Sequence, residues 1–333
     1  MITVNGDWFA LETANTGYYL GVRGGLVENL HYGARVRVEN SVPLREKTDI
    51  GYGGDVVYRA ESAPLSLEHL CLELSPLQKG DYRAQSLSLV MPGGARTADF
   101  SFVCARRLEG SVPPEGMPAA RGGAETLALD FSTPEGVAVT LFYTVYPDCD
   151  VITRRLCIKN GADAPVTLEK ALSYQLDLPG CDYVLSTFPG AWARERHEAC
   201  VPLTPGAHVF GSTTGASSAF CNPFFMLCAP DATEFNGDAY GFNLVYSGSH
   251  MGCVEVSPWG KTRVADRYMM PCETERYAAY GDLLMYAGIR QKQAFTGTGY
   301  NENVRLMPDF SSRVYYLRRV DAALRTNGEE GAL

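Results

Sequence analysis

The run Phe188-Pro189-Gly190-Ala191-Trp192-Ala193-Arg194-Glu195-Arg196 sets one indole beside two guanidinium groups and a carboxylate on a single short segment. An aromatic face with planar, forked donors next to it suits a sugar ring, which offers an apolar face and a rim of hydroxyls. The same residues also suit a closed corner, with Trp192 buried and Arg194 or Arg196 paired with Glu195 or a carbonyl. Composition leaves both arrangements open. Cleaving a glycosidic bond asks for more, namely two carboxyls opposed across the scissile bond. The 38 acidic residues leave room for such a pair, but spacing singles none out.

Other chemistries lack their signatures. There is no nucleophile elbow, no phosphate-cradling glycine loop and no His-Glu-x-x-His string. Gly51-Tyr52-Gly53-Gly54 and Gly211-Ser212-Thr213-Thr214-Gly215 carry no lysine and read as turns. The ten cysteines, Cys71, Cys104, Cys149, Cys157, Cys181, Cys200, Cys221, Cys228, Cys253 and Cys272, form no Cys-x-x-Cys pair and have no close histidine. Several sit in apolar runs, such as Phe102-Val103-Cys104 and Met226-Leu227-Cys228, where a free thiol acts as a small buried hydrophobe in a reducing compartment.

The elements that must position these groups are strands. Val137, Val139, Leu141, Tyr143 and Val145 alternate with Ala138, Thr140, Phe142, Thr144 and Tyr146, the period-two signature of a strand with one buried face. Further strands are predicted at 86–91, 99–104, 126–131, 224–228, 240–246 and 252–256. Asn160-Gly161 between the runs 151–159 and 166–174 predicts an antiparallel hairpin. Long helical periodicity is absent, and Ser66-Leu67-Glu68-His69-Leu70 makes one turn at most. Many short strands divided by Gly- and Pro-bearing turns predict an all-β, antiparallel sandwich. After Val264 the pattern changes: 265–280 shows no period, strands return at 282–285 and 313–317, and 326–331 reads as a disordered end.

A chain of 333 residues with 46% hydrophobic content can bury a large core. Its net charge of −9, with Lys and Arg scattered, argues against a nucleic-acid partner. No apolar run reaches the roughly 18 to 20 residues of a membrane span, and the start lacks a signal-peptide pattern. The expected address is the cytoplasm, with no membrane partner.

Several strings together resemble one family. FPGAWARER at 188–196, GASSAFCNPFFML at 215–227, YGFNLVYSGSH at 240–250 and VEVSPWGKTRV at 254–264 are similar in order and spacing to the amino-terminal domain of the bacterial α-galactosidases of glycoside hydrolase family 36. Lys79-Gly80-Asp81-Tyr82-Arg83 and His31-Tyr32-Gly33 resemble earlier pieces of that domain. Residues 281–288 and 309–313 resemble the end of the family's carboxy-terminal β domain. One departure is Ala219, where the family has His.

The resemblance implies a large antiparallel β-supersandwich over 1–264, an irregular seam at 265–280, a small β appendage at 281–320 and a disordered tail at 321–333. It also implies a (β/α)8 barrel with a nucleophile in a Lys-Trp-Asp string and an acid/base Asp after Cys-Ser-Gly-Gly-Gly. Neither string occurs in this chain, so no catalytic residue is assigned and the chain is expected to be inactive alone. The family reaction, hydrolysis of terminal α-galactosyl groups from sugars such as melibiose and raffinose, uses paired carboxylates and implies no cofactor or metal. The alternative is a non-catalytic module that contacts carbohydrate or assembles subunits. Its expected partners are α-galactoside oligosaccharides, a second copy of the chain or a barrel-bearing subunit. In the family this domain lends loops to an active-site mouth, which makes Trp192, Arg194 and Arg196, with Asp49 and Arg83, the candidate rim of a sugar site.

Overall fold

The computed structural model describes residues 1–45, 56–58, 65–75, 79–114, 118–213, 217–246 and 248–268. Asp49, residues 51–54 and the strands expected at 282–285 and 313–317 lie outside the described residues, as does the expected tail. The described part divides into one unit of residues 1–112 and 123–179 and another of 113–122 and 180–268.

In the first unit, β1 (Ile2–Asn5), β2 (Trp8–Glu12), β3 (Thr16–Arg23) and β4 (Leu26–Ala34) form an antiparallel meander. After β5 (Leu87–Val90), a second meander follows of β6 (Ser101–Glu109), β7 (Glu125–Ser132), β8 (Val137–Tyr146) and β9 (Val151–Asn160). The alternation in β8 is borne out: Val137, Val139, Leu141, Tyr143 and Val145 are all buried. Burying each large aliphatic side chain contributes roughly 1.5–3 kcal/mol. A one-residue slip would swap that set for the face carrying Thr140 and Thr144, so the core fixes the register. Rings join the two sheets, with Phe9 5.9 Å from Phe102 and Tyr18 6.0 Å from Tyr143 between centroids. This is sandwich packing. The single turn expected near residues 66–70 is present as a 3-10 turn at Leu67–His69.

The predicted Asn-Gly hairpin does not form. Instead, β9 pairs with β8, while β10 (Thr167–Ala171) leaves to pair with β5, ahead of β11 (Tyr174–Leu178). The Asn160 side chain does make its turn, accepting from the Ala162 N–H at 3.0 Å. The backbone of Gly161, however, seats against Gly136 through a 3.1 Å hydrogen bond, and the chain is carried from one sheet to another. A local turn signal determines that the chain bends, not which strand it meets next.

In the second unit, β12 (Val184–Thr187), β13 (Ala199–Pro202), β15 (Phe224–Cys228) and β16 (Ala239–Asn243) form an antiparallel sheet in the order β13-β12-β15-β16. Between β13 and β15 come β14 (Gly206–Ser212) and the single turn α1 (Ser217–Phe220). Gly211 and Ser212, expected in a turn, are therefore strand residues. β17 (His250–Val256) pairs with β14 on one side and β18 (Thr262–Tyr268) on the other. Phe225 links the layers, in edge contact with Phe210 at 4.6 Å and stacked on Phe242 at 5.1 Å.

β18 runs on through Ala265-Asp266-Arg267-Tyr268, inside the stretch where no period is readable. The reason is that both faces of β18 are covered: Arg263, Val264, Ala265 and Asp266 are all fully buried, so there is no inward-outward alternation to read. Two thiols also correct the expectation of buried cysteines. Cys104 is exposed on the edge strand β6 and Cys228 is half-buried, whereas Cys71 and Cys221 do lie in the interior. Cys104 sits on a strand with a free edge and Cys228 on a strand flanked on both sides, so apolar neighbours in sequence bury neither by themselves.

Candidate functional site

The Trp192 loop leaves β12 at Thr187 and returns to β13 at Ala199. Its base is closed by the His197 N–H donating to the Pro189 carbonyl at 2.9 Å. Its tip is a tight turn in which Arg194 and Ala191 exchange backbone hydrogen bonds of 3.0 and 3.3 Å. Gly190 makes the pinch possible. A Cβ there would stand 2.8 Å from the Arg194 carbonyl oxygen and 2.8 Å from the Glu195 Cα. Gly190→Ala is therefore expected to cost about 1–3 kcal/mol and to displace the tip, read as a lowered melting temperature with altered tryptophan emission. An unchanged melt and spectrum would show that the loop has slack.

Ala193 and Arg196 both adopt left-handed backbone, with φ of 62° and 61°. Only one other described non-glycine residue, Asp150, has a positive φ. Such conformations cost of order 1–3 kcal/mol each and gather where geometry matters more than comfort. The Glu195 carboxylate meets part of that cost by accepting the Ala193 N–H at 3.1 Å. The strain holds Trp192 outward at 69% exposure, with Arg194 exposed and Arg196 half-buried beside it. A closed corner with Trp192 buried is not what the chain builds.

Arg83 has a different setting. It belongs to the first unit and is 3% exposed. Its Nε donates to Asp81 at 2.8 Å, one terminal nitrogen stands 3.2 Å from Asp177, and the other donates to the carbonyls of Leu67 and Leu70 at 3.1 and 2.6 Å. The guanidinium braces the interior. Of the five candidate rim residues, the fold brings Trp192, Arg194 and Arg196 onto one loop, buries Arg83, and leaves Asp49 outside the described residues.

Two clusters of titratable groups were not legible in the sequence. In the first unit Glu73 is fully buried and accepts hydrogen bonds from the hydroxyls of Tyr18 and Tyr143, with Arg154 3.6 Å away. Burial pushes the Glu73 carboxyl up, against the pull of Arg154 and the two phenols. A raised carboxyl in a cleft is a candidate acid, but one with no solvent access reaches no sugar, and this cluster is part of the core. In the second unit His250 and Asp266, both fully buried, face each other at 3.3 Å. The pair is 16 residues apart, so only strand register brings it together. Among the described residues no group of three or more His, Cys, Asp or Glu could hold a metal. None of the helices there is long and apolar enough to cross a membrane.

The glycosyl hydrolase family 36 N-terminal domain matches residues 25–266. The α-galactosidase AgaA of Geobacillus stearothermophilus is 31% identical over 263 residues, which are 77% of this chain and 36% of that protein. The crystal structure of the family 36 α-galactosidase AgaB from the same organism superposes with a TM-score of 0.76 at 30% identity, covering 81% of this chain and 38% of that one. A variant of AgaA in complex with stachyose matches with a TM-score of 0.74 at 30% identity, covering 79% of this chain and 37% of that one. This chain thus spans about a third of the length of these relatives, 36% to 38%. With the domain matched across most of its length, and the sandwich sheets of the same family's solved members underneath it, the chain belongs to glycosyl hydrolase family 36.

Proposed function

We propose that this chain handles α-galactoside oligosaccharides as the rim-bearing module of an α-galactosidase, with bond cleavage carried out by a barrel-bearing partner. The observation that carries the reading is the Trp192 loop, a strained, glycine-pinched turn that holds an indole in solvent on the same short segment as Arg194 and Arg196. The stachyose seen with a relative is the type of ligand proposed, and the indole would stack on a sugar beyond the terminal galactose. Neither family catalytic string is in this chain, and without a nucleophile and an acid/base no partial mechanism survives.

The test has two arms. The isolated chain is expected to leave an aryl α-galactoside uncleaved; turnover that copurifies with it and vanishes on mutating one Asp or Glu of this chain would overturn the division of labour. In an active complex with a barrel-bearing subunit, Trp192→Ala is expected to raise KM for stachyose about fivefold to tenfold, from the ~1 kcal/mol of a stacking contact. KM for an aryl galactoside should change little. Equal effects on both substrates, or none, would remove the rim reading.

Assembly follows from the same reading. Phe235 is 94% exposed, and Val209, Trp259 and Phe220 of the same unit are also exposed. Apolar groups so displayed seek partners, so sedimentation is expected to find self-association or capture by a barrel-bearing subunit. A monodisperse monomer at high concentration, with no affinity for such a subunit, would count against it. The nine described cysteines are all free, which suits a reducing compartment and supports the cytoplasm as the proposed address.

A further inference from the structure

The Trp192 loop does not stand on its own strands alone. The Gly190 N–H donates to the Phe220 carbonyl at 2.9 Å, and the Asn222 N–H donates to the Phe188 carbonyl at 3.1 Å. Pro189 and Cys221 form an isolated bridge between the two segments. The base of the loop is therefore stitched to the turn at 217–222. Two polar atoms of that turn are left over: Ser217 Oγ and Asn222 Nδ2 are buried with no hydrogen-bond partner among the described residues, while Asn222 Oδ1 accepts the Phe224 N–H at 3.1 Å. What meets it from beneath is His250, whose Nε2 lies 3.1 Å from the Cys221 carbonyl oxygen.

His250 projects from β17 toward two acceptors. Its Nδ1 faces the Asp266 carboxylate oxygens at 3.3 and 3.4 Å, and its Nε2 faces the carbonyl. A neutral imidazole has one N–H and can satisfy only one of them; the imidazolium satisfies both. Among the described residues the neighbouring strands bring no second carboxylate to this point: β18 sets Tyr268 directly opposite His250, with Arg267 next and Asp266 on the diagonal, and β14 sets Ser212 opposite His250. Burial opposes the charge, but the hydrogen bonds to Asp266 and Cys221 outweigh it and push the imidazole up to about 10; burial also pushes the Asp266 carboxyl up, against the pull of His250, and the two acceptors facing the ring favour the charged pair.

We propose that His250 is a positioning residue for the Trp192 rim: anchored by Asp266, it donates to the Cys221 carbonyl and so clamps the 217–222 turn that carries the loop. The proposal rests on the rim reading for its functional meaning, while the clamp itself is a separate claim. It acts at the base of the loop, in the interior, where no sugar reaches. The loop's own strain makes an external clamp necessary, since left-handed Ala193 and Arg196 would relax if the base opened.

Two isosteric variants separate a clamp from a general contribution to stability. The Gln amide in His250→Gln reproduces the donor at Nε2, and the Asn amide in His250→Asn reproduces only the one at Nδ1. In His250→Asn the amides of Gly190, His197 and Asn222 are expected to exchange about tenfold faster than in the parent, beyond any change at Leu227 and Val254. This is the size of one hydrogen bond lost. In His250→Gln those three amides should stay near the parent rate. Equal behaviour of the two variants, or acceleration no greater than at Leu227 and Val254, would overturn the clamp.

A measurement on the parent protein stands whether or not the variants fold. Ring nitrogen NMR of His250 at pH 8 should show both nitrogens protonated, and a neutral ring would overturn the proposal. Failure of the clamp and failure of the rim are distinguishable. Amides that respond while Trp192→Ala leaves the stachyose KM untouched remove the rim and keep the clamp; the opposite pattern removes the clamp and keeps the rim.

Discussion

Arg83→Met is expected to destabilise the first unit by roughly 3–5 kcal/mol, the usual cost of removing one partner from a buried ion pair. The side chains of Asp81 and Asp177 are fully buried and Arg83 is almost so. Methionine fills much of the same volume but leaves two carboxylates in the interior without their cation. It also strips the donors from the Leu67 and Leu70 carbonyls. Asp177 is itself a hub, accepting the Leu72 N–H at 3.0 Å, so the damage reaches the turn that precedes Glu73. Urea unfolding of the variant checks it, with a shift below about 1 kcal/mol counting against the ion pair as a bracing element. In an active complex the same variant should follow stability alone, with no preference between stachyose and an aryl galactoside. That would mark Arg83 as part of the frame and not of the rim.

Alkaline pH is expected to weaken the second unit well before its tyrosines titrate. The folded-state value for His250 is about 10, against 6.5 in a free imidazole. A group raised in this way contributes its full stabilisation below the unfolded value, and loses it as pH climbs through the window between the two. Across that window the folded state holds one more proton, and stability falls by about 1.4 kcal/mol per pH unit. From pH 7 to 9 the loss amounts to roughly 2–3 kcal/mol. Tyr183, raised to about 12 chiefly by burial, and Cys228, also raised by burial, lose their contributions only above their ordinary values of 10 and 9. The window from 7 to 9 therefore belongs to His250. Denaturation at successive pH values should show the slope in the parent protein and its absence in His250→Gln. A slope shared by both proteins would assign it elsewhere.

Much of the framework was legible because strand alternation is a local property. The five inward residues of β8 sit two apart, and burying one face of that strand is a decision the segment makes by itself. The strand at 224–228 was readable to the residue for the same reason, and so was the single turn near His69. The quoted strings around Trp192 and Trp259 likewise carried the family in plain sequence. An indole flanked by two arginines on a Gly-Pro-started segment was enough to mark the loop as a candidate site.

Partnership between distant segments decided the rest. Asn160-Gly161 announced a bend, but which strand β10 would meet was settled elsewhere: β9 ends its sheet with its outer edge unpaired among the described residues, yet β10 pairs with β5. Arg83 was a candidate for the sugar-site rim, but Asp81 and Asp177, the latter far along the chain, hold it in the interior. Trp192 could equally have been a core residue; the pinch at Gly190 and the left-handed backbone at Ala193 turned it outward. Nothing in the spacing of His250 and Asp266 connects them. Antiparallel register between β17 and β18 places them as diagonal neighbours in the interior, where removal from water makes a buried charge tolerable only with a partner. Local periodicity is written residue by residue, whereas the pairing of charges and the exposure of a loop are settled by the packing of strands that are remote in sequence.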